Sequence, residues 1–345
     1  MSELRKDPIN QRWVIIAPSR GRYPWRQSTL PDVDDERLNP FIAGHEVYTP
    51  AEIWSARAAG TAPNTPGWTV RVVPNRFPAL RVESDLAPRG VGVFDQMAGL
   101  GAHEVVVETP EAGLDWPDFT PAQLGTVLQA WRDRLRDLRR DVRLRYHAIY
   151  RCQGQPAGAA YPHALSHIVG LPIIPPAIEQ LLTTAYAHFE AKERSIFADV
   201  LDQELREGDR VVAQTQHFAA LTPYASRQPF ELVVYPLRQM HDFTLLTEEE
   251  MADLAELLIL LTGKLRDALA TPAYQVHLFT APSTAPRPGR VTVWRTLELD
   301  FRWRLEILPF LQASVGIEAA TGCYINPVAP EEAAAYLRDI NGIAP

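Results

Sequence analysis

The sequence AGAAYPHALSHIVGLP, residues 157–172, is the stretch that decides the fold. Its centre alternates His163, Leu165 and His167 with two small residues, and an apolar run follows. Side chains two apart in a β-strand point to the same face, so these three are expected to form one row. The outer two can exchange protons and donate hydrogen bonds, whereas the central leucine cannot. The stretch therefore predicts a strand with a polar row that is interrupted at its centre.

The composition is typical of a soluble globular protein with a large core. The chain has 345 residues, of which 46% are hydrophobic and 22% are charged, and this length predicts two or three domain-sized units. The net charge of −8 argues against a nucleic-acid partner, because such proteins present a basic surface. Residues 1–16 contain no apolar signal-peptide core, and no apolar run is long enough to cross a membrane. We therefore expect a cytoplasmic protein without a membrane partner.

A repeated order of elements runs through the chain. Strand and helix patterns follow one another as strand, strand, helix, strand, strand, over residues 68–175 and again over residues 217–309. Each repeat ends in an apolar stretch and a proline, IVGLP at 168–172 and LEILP at 305–309. The duplication predicts an α+β protein with a mainly antiparallel sheet and flanking helices.

The predicted domain boundaries follow this duplication. Residues 1–175 are the first repeat with an N-terminal extension, residues 176–216 a helical connector, and residues 217–345 the second repeat. Inside the extension, Thr49 followed by proline and then Glu52 has the signature of a helix N-terminus. A helix is therefore predicted to begin at residue 49.

Several separate segments share their motifs with one known family. They are RVVPNRFPAL (71–80), GAHEVVVETPE (101–111), QGQPAGA (153–159) and GIEAATGCYINPVAPEE (316–332). Together they resemble the galactose-1-phosphate uridylyltransferase family of the histidine triad superfamily, over nearly the whole chain. The resemblance implies two fused histidine-triad-like half-barrel repeats. It also implies uridylyl transfer between UDP-glucose and galactose 1-phosphate through a covalent nucleotidyl-histidine.

The resemblance fails at the position of the family's nucleophile. The superfamily pattern is His-x-His-x-His or His-x-His-x-Gln, and its middle histidine attacks phosphorus. That position is Leu165 here, which has no lone pair. His163 and His167 match the outer positions and are the predicted catalytic residues, with His167 expected to donate a hydrogen bond to a phosphate. For His163, a buried ring with satisfied hydrogen bonds is the alternative interpretation.

The metal positions of the family also differ in this chain. Many members bind zinc through a Cys-x-x-Cys pair, a later histidine and the first histidine of the row. The matching positions here are Asn39, Ile42, Ala112 and His163. One histidine does not hold zinc, so the sequence predicts no metal and no cofactor.

A second family motif, His-Trp-His-Ile-Glu, is replaced by arginines. It reads Arg302, Trp303, Arg304, Leu305, Glu306 here, and arginine is a poor metal ligand. Two interpretations stay open for Arg302 and Arg304. They are part of a salt-bridged sheet surface, or they form an anion site in the second repeat.

Positions that handle the nucleotide in the family are partly retained. The predicted nucleotide-binding residues are Arg20, Asn75, Phe77, Gln153, Gly158, Ala160 and His167. By resemblance, Asn75 and Phe77 lie at the uridine end, and Arg20 matches a phosphate-contacting arginine. Cys152, beside Gln153, is interpreted as a small buried side chain, with a reactive thiol as the alternative.

Two functions are compatible with these residues. The first is nucleotidyl transfer or cleavage on a nucleoside diphosphate-sugar or related nucleotide, without a covalent nucleotidyl-histidine. The second is a non-catalytic nucleotide- or nucleotide-sugar-binding protein that keeps the fold. We favour the enzyme as the prediction, and the resemblance further implies a homodimer.

Overall fold

The computed structural model describes residues 2–6, 13–16, 39–285, 294–312 and 316–340. The described strands are β1 (Glu3–Lys6), β2 (Trp13–Ile16), β3 (Trp54–Arg57), β4 (Trp68–Pro74), β5 (Arg89–Val91), β6 (Phe94–Ala98), β7 (Ala102–Val107), β8 (Tyr146–Gln153), β9 (Leu165–Leu171), β10 (Val211–Gln214), β11 (Phe218–Leu221), β12 (Leu232–Pro236), β13 (Tyr274–Phe279) and β14 (Arg304–Pro309). The described α-helices are α1 (Pro121–Leu138), α2 (Pro176–Lys192), α3 (Ile196–Glu207), α4 (Glu248–Leu269), α5 (Leu297–Asp300), α6 (Ile317–Thr321) and α7 (Pro330–Asp339). The α+β class predicted from the sequence is confirmed.

Ten of these strands form one antiparallel sheet with a mirrored order. The order is β10-β11-β12-β14-β13-β8-β9-β7-β4-β3. Outward from the centre, each half presents its fourth, fifth, third, second and first strand, and the long helix of each half lies between its third and fourth strands. The halves join where β8 pairs with β13, from Ile149 opposite Leu278 to Gln153 opposite Tyr274. The predicted antiparallel duplication is therefore present as one continuous sheet.

The two long helices cover one face of this sheet and pack against each other. Each is capped by a threonine: the Thr120 and Thr247 side chains accept hydrogen bonds from backbone N–H groups of the first turn. The apolar face of α1 contacts the sheet through residues such as Trp131, whose Nε1 donates to Ser166 Oγ at 2.8 Å. Ser166 of β9 therefore faces α1, whereas its neighbours Leu165 and His167 face the opposite side of the sheet.

The opposite face of the sheet is covered differently in the two halves. In the second half, Phe197 and Leu201 of α3 pack on it, together with residues of α2 and α5. In the first half, the covering consists of the segment 39–53 and the loop 154–161, and a cleft remains between them. The connector helices thus close one half and leave the other half accessible.

Two elements differ from the sequence prediction. Residues 54–57 form β3, an edge strand paired with β4, and not a helix beginning at Thr49. The predicted cap is absent because Thr49 Oγ1 donates to Glu46 O, while the Glu52 carboxylate is bound by Arg57. The connector also contributes the edge strand β10. The boundaries at residues 175 and 216 stay a prediction.

A smaller antiparallel sheet, of order β2-β1-β6-β5, lies beside the large one. Its strand β1 buries Leu4 completely. None of the helices in the described ranges has the length and apolar composition that a membrane crossing requires.

A buried polar network crosses the junction of the two halves. Arg151 of β8 is fully buried and donates to Glu108 Oε2 at 3.0 Å and to Asp115 Oδ1 at 2.7 Å. It also donates to the hydroxyl of Tyr274, on β13, at 3.0 Å. The Trp116 indole donates to the same Glu108 oxygen at 2.9 Å. A buried charge of this kind is stable only while all its partners are present.

Replacing Arg151→Met is predicted to lower the free energy of unfolding by about 3–5 kcal/mol, because the buried Glu108 carboxylate loses its counter-charge. Urea unfolding measures the change. The matched control is Arg140→Met in the turn after α1, whose side chain is 82% exposed and whose loss should cost less than about 1 kcal/mol. Equal losses in the two variants would contradict the role of the network.

A second buried group makes stability depend on pH. His147 of β8 is completely buried. Burial lowers the pKa of His147 to about 4, helped by the positive charge of Arg139 and opposed by Asp242 and Asp141. The ordinary pKa is about 6.5, so the unfolded chain binds this proton first as the pH falls. The resulting contribution to stability is complete above pH 6.5 and is lost as the pH falls towards 4.

His147→Leu is predicted to remove about 2 kcal/mol of the stability difference between pH 7 and pH 5. Urea unfolding at both values measures this slope. Ile149→Val, on the same face of β8, should lower stability at both pH values and leave the slope unchanged. An unaltered slope in His147→Leu would refute the prediction.

Candidate functional site

A cleft on the open face of the first half brings together most of the predicted site residues. Those that line it are Asn75, Phe77, Gly158, Ala160, His163, Leu165 and His167. Its empty space is about 840 Å³, part of it open to solvent. The residues come from the turn after β4, the loop before β9 and β9 itself. The cleft is therefore a candidate ligand site.

The floor of the cleft is the row that the sequence predicts. Leu165 and His167 lie on the same face of β9, and His163 stands just before the strand. The His167 ring stacks on Tyr150 of β8, with centroids 5.0 Å apart and planes inclined by 15°. Its other neighbour is His103, at 5.6 Å between ring centroids. His167 is thus held by two rings while it faces the cleft.

His163 belongs to a chain of hydrogen bonds. Asn39 Oδ1 accepts from Phe41 N at 3.0 Å, so the other end of the Asn39 amide is the donor to His163 Nδ1, at 3.1 Å. His163 Nε2 then carries the ring proton and donates to Thr109 O at 2.8 Å. Burial lowers the pKa of His163 to about 4. The ring is neutral near pH 7 and both of its nitrogens are engaged, which fits the alternative interpretation; its catalytic role stays a prediction.

Leu165 has an apolar environment. It is 8% exposed and packs with Trp68, Val73, Val105 and Val107. These groups offer no acceptor or charge to activate a nucleophile at this point. Cys152 also lines the cleft, but burial raises the pKa of its thiol and so disfavours the reactive thiolate.

The loops at the cleft are fixed by local hydrogen bonds. Asn75 Oδ1 accepts from Phe77 N at 2.8 Å, which closes a tight turn after β4. Gly158 has a φ of +101°, a conformation that glycine adopts without strain. Beside it, Ala157 O accepts from Gln275 Nε2 of the second half at 2.8 Å. The backbone near Gly158 is thus positioned by both halves of the protein.

Four predicted residues lie elsewhere. Gln153 ends β8 next to the cleft without lining it. Arg302 is 4% exposed and donates to Pro236 O and Leu237 O. Arg304 donates to Glu306 at 2.9 Å. Arg20 lies outside the described residues. The arrangement around Arg304 fits a salt-bridged surface, and the anion site of the second repeat stays a prediction.

The cleft also contains residues that sequence reasoning missed. Phe41 and Tyr161 form an edge-to-face pair at its wall, with ring centroids 5.3 Å apart. Arg76 lines the cleft between Asn75 and Phe77. Its place in the turn VPNRFP was the available signal. Phe41 had no such signal, because only the folded segment 39–53 brings it to the site.

The residues at the family's zinc positions do not fit a metal ion. Ile42 and Ala112 have no side-chain donor atom, and Asn39 binds His163 directly. Elsewhere in the described ranges, no three His, Cys, Asp or Glu side chains converge on a point that could hold a metal.

Comparisons with known proteins agree with this geometry. Residues 182–292 match the sequence profile of the galactose-1-phosphate uridyl transferase C-terminal domain. The ADP-glucose phosphorylase of Arabidopsis thaliana is 29% identical, over 98% of this chain and 93% of the relative. The galactose-1-phosphate uridylyltransferase of Thermotoga maritima is 28% identical, over 98% of each.

Solved structures give the same result. The crystal structure of the Arabidopsis ADP-glucose phosphorylase with bound ADP-glucose superposes with a TM-score of 0.75, at 29% identity and 99% coverage of both chains. A uridylyltransferase structure has a TM-score of 0.77, at 25% identity and 97% coverage of both. The chain therefore has the same overall fold as these two structures. Over nearly its whole length the chain is similar to galactose-1-phosphate uridylyltransferases and to an ADP-glucose phosphorylase.

Asn39→Asp is predicted to raise the pKa of His163 from about 4. A carboxylate only accepts hydrogen bonds, so it favours a ring that is protonated on both nitrogens. Titration of the imidazole by NMR measures the change. Asn39→Ala is the control, since it removes the amide without adding a charge. A pKa that stays near 4 in Asn39→Asp would contradict the hydrogen-bond chain.

Proposed function

We propose that this protein binds a nucleoside diphosphate-sugar in the cleft and transfers or cleaves its nucleotidyl group without a covalent nucleotidyl-histidine. The observation that carries the proposal is the position of Leu165. It fills the centre of the row, while Asn75, Phe77, Gly158 and Ala160 line the same cleft. A cleft lined by the predicted nucleotide-binding residues is thus combined with an apolar side chain where the family has its nucleophile.

The relatives support the class of ligand. They include an ADP-glucose phosphorylase, which has been crystallised with ADP-glucose, and several galactose-1-phosphate uridylyltransferases. All of these act on a nucleotide joined to a sugar or on a sugar phosphate. We infer the same general class here and leave the base and the sugar open.

Direct displacement is the chemistry that needs no nucleophile from the protein. An oxygen of the acceptor or of water bonds to the nucleotidyl phosphorus as the bridging P–O bond breaks, and the sugar phosphate leaves with that electron pair. A single displacement inverts the configuration at phosphorus. His167 would stabilise the developing charge by donating a hydrogen bond.

His167 is a poor substitute for the missing nucleophile. Two residues along a strand span about 6.6–6.8 Å, whereas attack requires reacting atoms about 3–3.5 Å apart. For His167 to attack, the ligand would have to shift along β9 by two residues. The Tyr150 ring, which stacks on His167, restricts movement of the imidazole towards the ligand.

A second candidate function is non-catalytic binding of a nucleotide or nucleotide-sugar. It is favoured by two observations, the apolar surroundings of Leu165 and the engagement of both His163 nitrogens. A homodimer and a cytoplasmic location belong to both proposals. Light scattering after size-exclusion chromatography tests the dimer.

Incubation with ADP-glucose, UDP-glucose and related compounds is predicted to raise the thermal unfolding midpoint without adding a nucleotidyl group to the protein. Thermal shift, turnover and intact mass are measured together. Turnover with inversion at phosphorus supports the enzyme, and thermal shifts without turnover support the binding protein. A nucleotidyl adduct on the unaltered chain would refute both versions.

Leu165→His is predicted to form a nucleotidyl adduct, because it supplies an imidazole at the centre of the row. Intact mass after incubation with the compound that gives the largest thermal shift measures the adduct. Val169→His, on the same face of β9, is the matched control and should form none. Retained binding without an adduct in Leu165→His would show that the ligand's phosphorus does not lie over this position.

A further inference from the structure

The loop 154–161 is the part of the cleft wall that the second half supports. It connects the end of β8 to the row at the cleft floor and carries Gly158 and Ala160, two predicted nucleotide-binding residues that line the cleft. Strand β13 of the second half pairs with β8, and two contacts join the loop to β13 and to the residue before it. The geometry of this loop therefore depends on a part of the chain that the proposed function does not use.

The first contact is a hydrogen bond to the middle of the loop. Gln275 Nε2 donates to Ala157 O at 2.8 Å, and Ala157 is 2% exposed. A buried carbonyl that loses its donor is costly, because water does not replace the bond. The Ala157 carbonyl belongs to the peptide group that leads to Gly158. Gln275 thus fixes the orientation of the backbone where it enters the cleft wall.

The second contact is a close approach at the start of the loop. Gly154 has a φ of +77°, and a Cβ atom added to it would lie 2.9 Å from the Cβ atom of Ala273. Only glycine combines this backbone conformation with so short a distance to a neighbour. The loop backbone therefore packs directly against the residue that precedes β13.

Backbone hydrogen bonds within the loop give it its internal shape. Gly158 N donates to Gln155 O at 3.0 Å, and Ala159 N donates to Gly154 O at 3.1 Å. Bonds of this kind close turns between near neighbours, and they do not set the place of the loop relative to the sheet. The two contacts with the second half supply that constraint.

Gln275 is a rigid support because its strand lies at the centre of the large sheet. Its backbone is opposite Cys152 of β8 on one side and opposite Leu308 of β14 on the other. The preceding residue is also held, since the Tyr274 hydroxyl accepts a hydrogen bond from the buried Arg151. The amide that reaches the loop thus starts from one of the most constrained points of the fold.

We infer that Gln275 is a positioning residue of the cleft, through which the second half holds the loop in the conformation that binds the ligand. Gln275 is not among the residues that line the cleft, so it acts through the loop and not by touching the ligand. A loop that is ordered before binding lowers the conformational entropy that the ligand has to remove. The inference rests on the proposed function for the class of ligand. It makes the affinity of a first-half cleft depend on a side chain 118 positions further along the chain.

The test compares Gln275→Met, which keeps the length of the side chain and removes the donor, with Gln123→Met on α1. Gln123 Nε2 also donates to backbone carbonyls, among them Thr69 O at 3.1 Å, but on the helix-covered face of the sheet. Hydrogen exchange of residues 154–161 is measured without ligand. Calorimetric titration with ADP-glucose, UDP-glucose and GDP-glucose measures affinity.

Gln275→Met is expected to accelerate amide exchange in the loop and to weaken the binding of the tightest sugar nucleotide, each about fivefold, as for the loss of one hydrogen bond. Gln123→Met should leave loop exchange and affinity unchanged. The urea midpoints of the two variants should fall by similar small amounts. This agreement shows that both are folded and that the lower affinity is not a general loss of stability.

The outcomes separate the inference from the proposed function. Loop exchange that is unchanged in Gln275→Met overturns the inference. Faster exchange with unaltered affinity, or an equal loss of affinity in Gln123→Met, also overturns it and leaves the proposed function intact. Faster exchange together with weaker binding in Gln275→Met alone supports it. If the unaltered protein binds none of the three sugar nucleotides, the proposed function falls and the inference falls with it.

Discussion

The pairing of β8 with β13 is the interaction on which the rest of the structure depends. In each half alone, β8 or β13 would be an edge strand with a row of unpaired backbone N–H and C=O groups. Pairing between β8 and β13 satisfies these groups in both halves. The Arg151 network crosses the same junction below the sheet, and Gln275 crosses it above to hold Ala157. The cleft lies in the first half, yet part of its loop is positioned from the second half. The two repeats therefore fold as parts of one structure.

Much of the sheet could be predicted from sequence, because its strands and its two long helices carry their own signals. The alternation in HALSHIV and the repeated order of strands and helices are local patterns, so they needed no tertiary information. Segment 49–57 was mispredicted because its Thr-Pro-x-Glu pattern is a local signal, and pairing with β4 outweighs it. The partners of Arg302 could not be read from sequence either, since they are backbone carbonyls of residues 236 and 237, more than sixty positions away.

The candidate site, like the sheet, was predictable only where the signal is local in sequence. The row itself was visible in the sequence, and so was the absence of a lone pair at Leu165. The consequence for His163 was not visible, because it depends on Asn39, which lies 124 positions away in the chain. In the folded protein these two side chains satisfy each other, with Thr109 and Phe41 at the ends of the chain of hydrogen bonds. Hydrogen bonds between neutral groups therefore link Asn39, His163 and Thr109, at the place where family members bind a metal ion.

The cross-strand pair His167–Tyr150 has a counterpart in the second half, where Arg304 lies 4.4 Å above the ring of Phe279. One pair faces an open cleft, and the other is closed over by the connector and bound to Glu306. The two repeats thus differ in whether this cross-strand pair is accessible to a ligand. A substitution at Phe279 therefore alters packing against the connector, whereas one at Tyr150 alters the support of the His167 ring at the floor of the cleft.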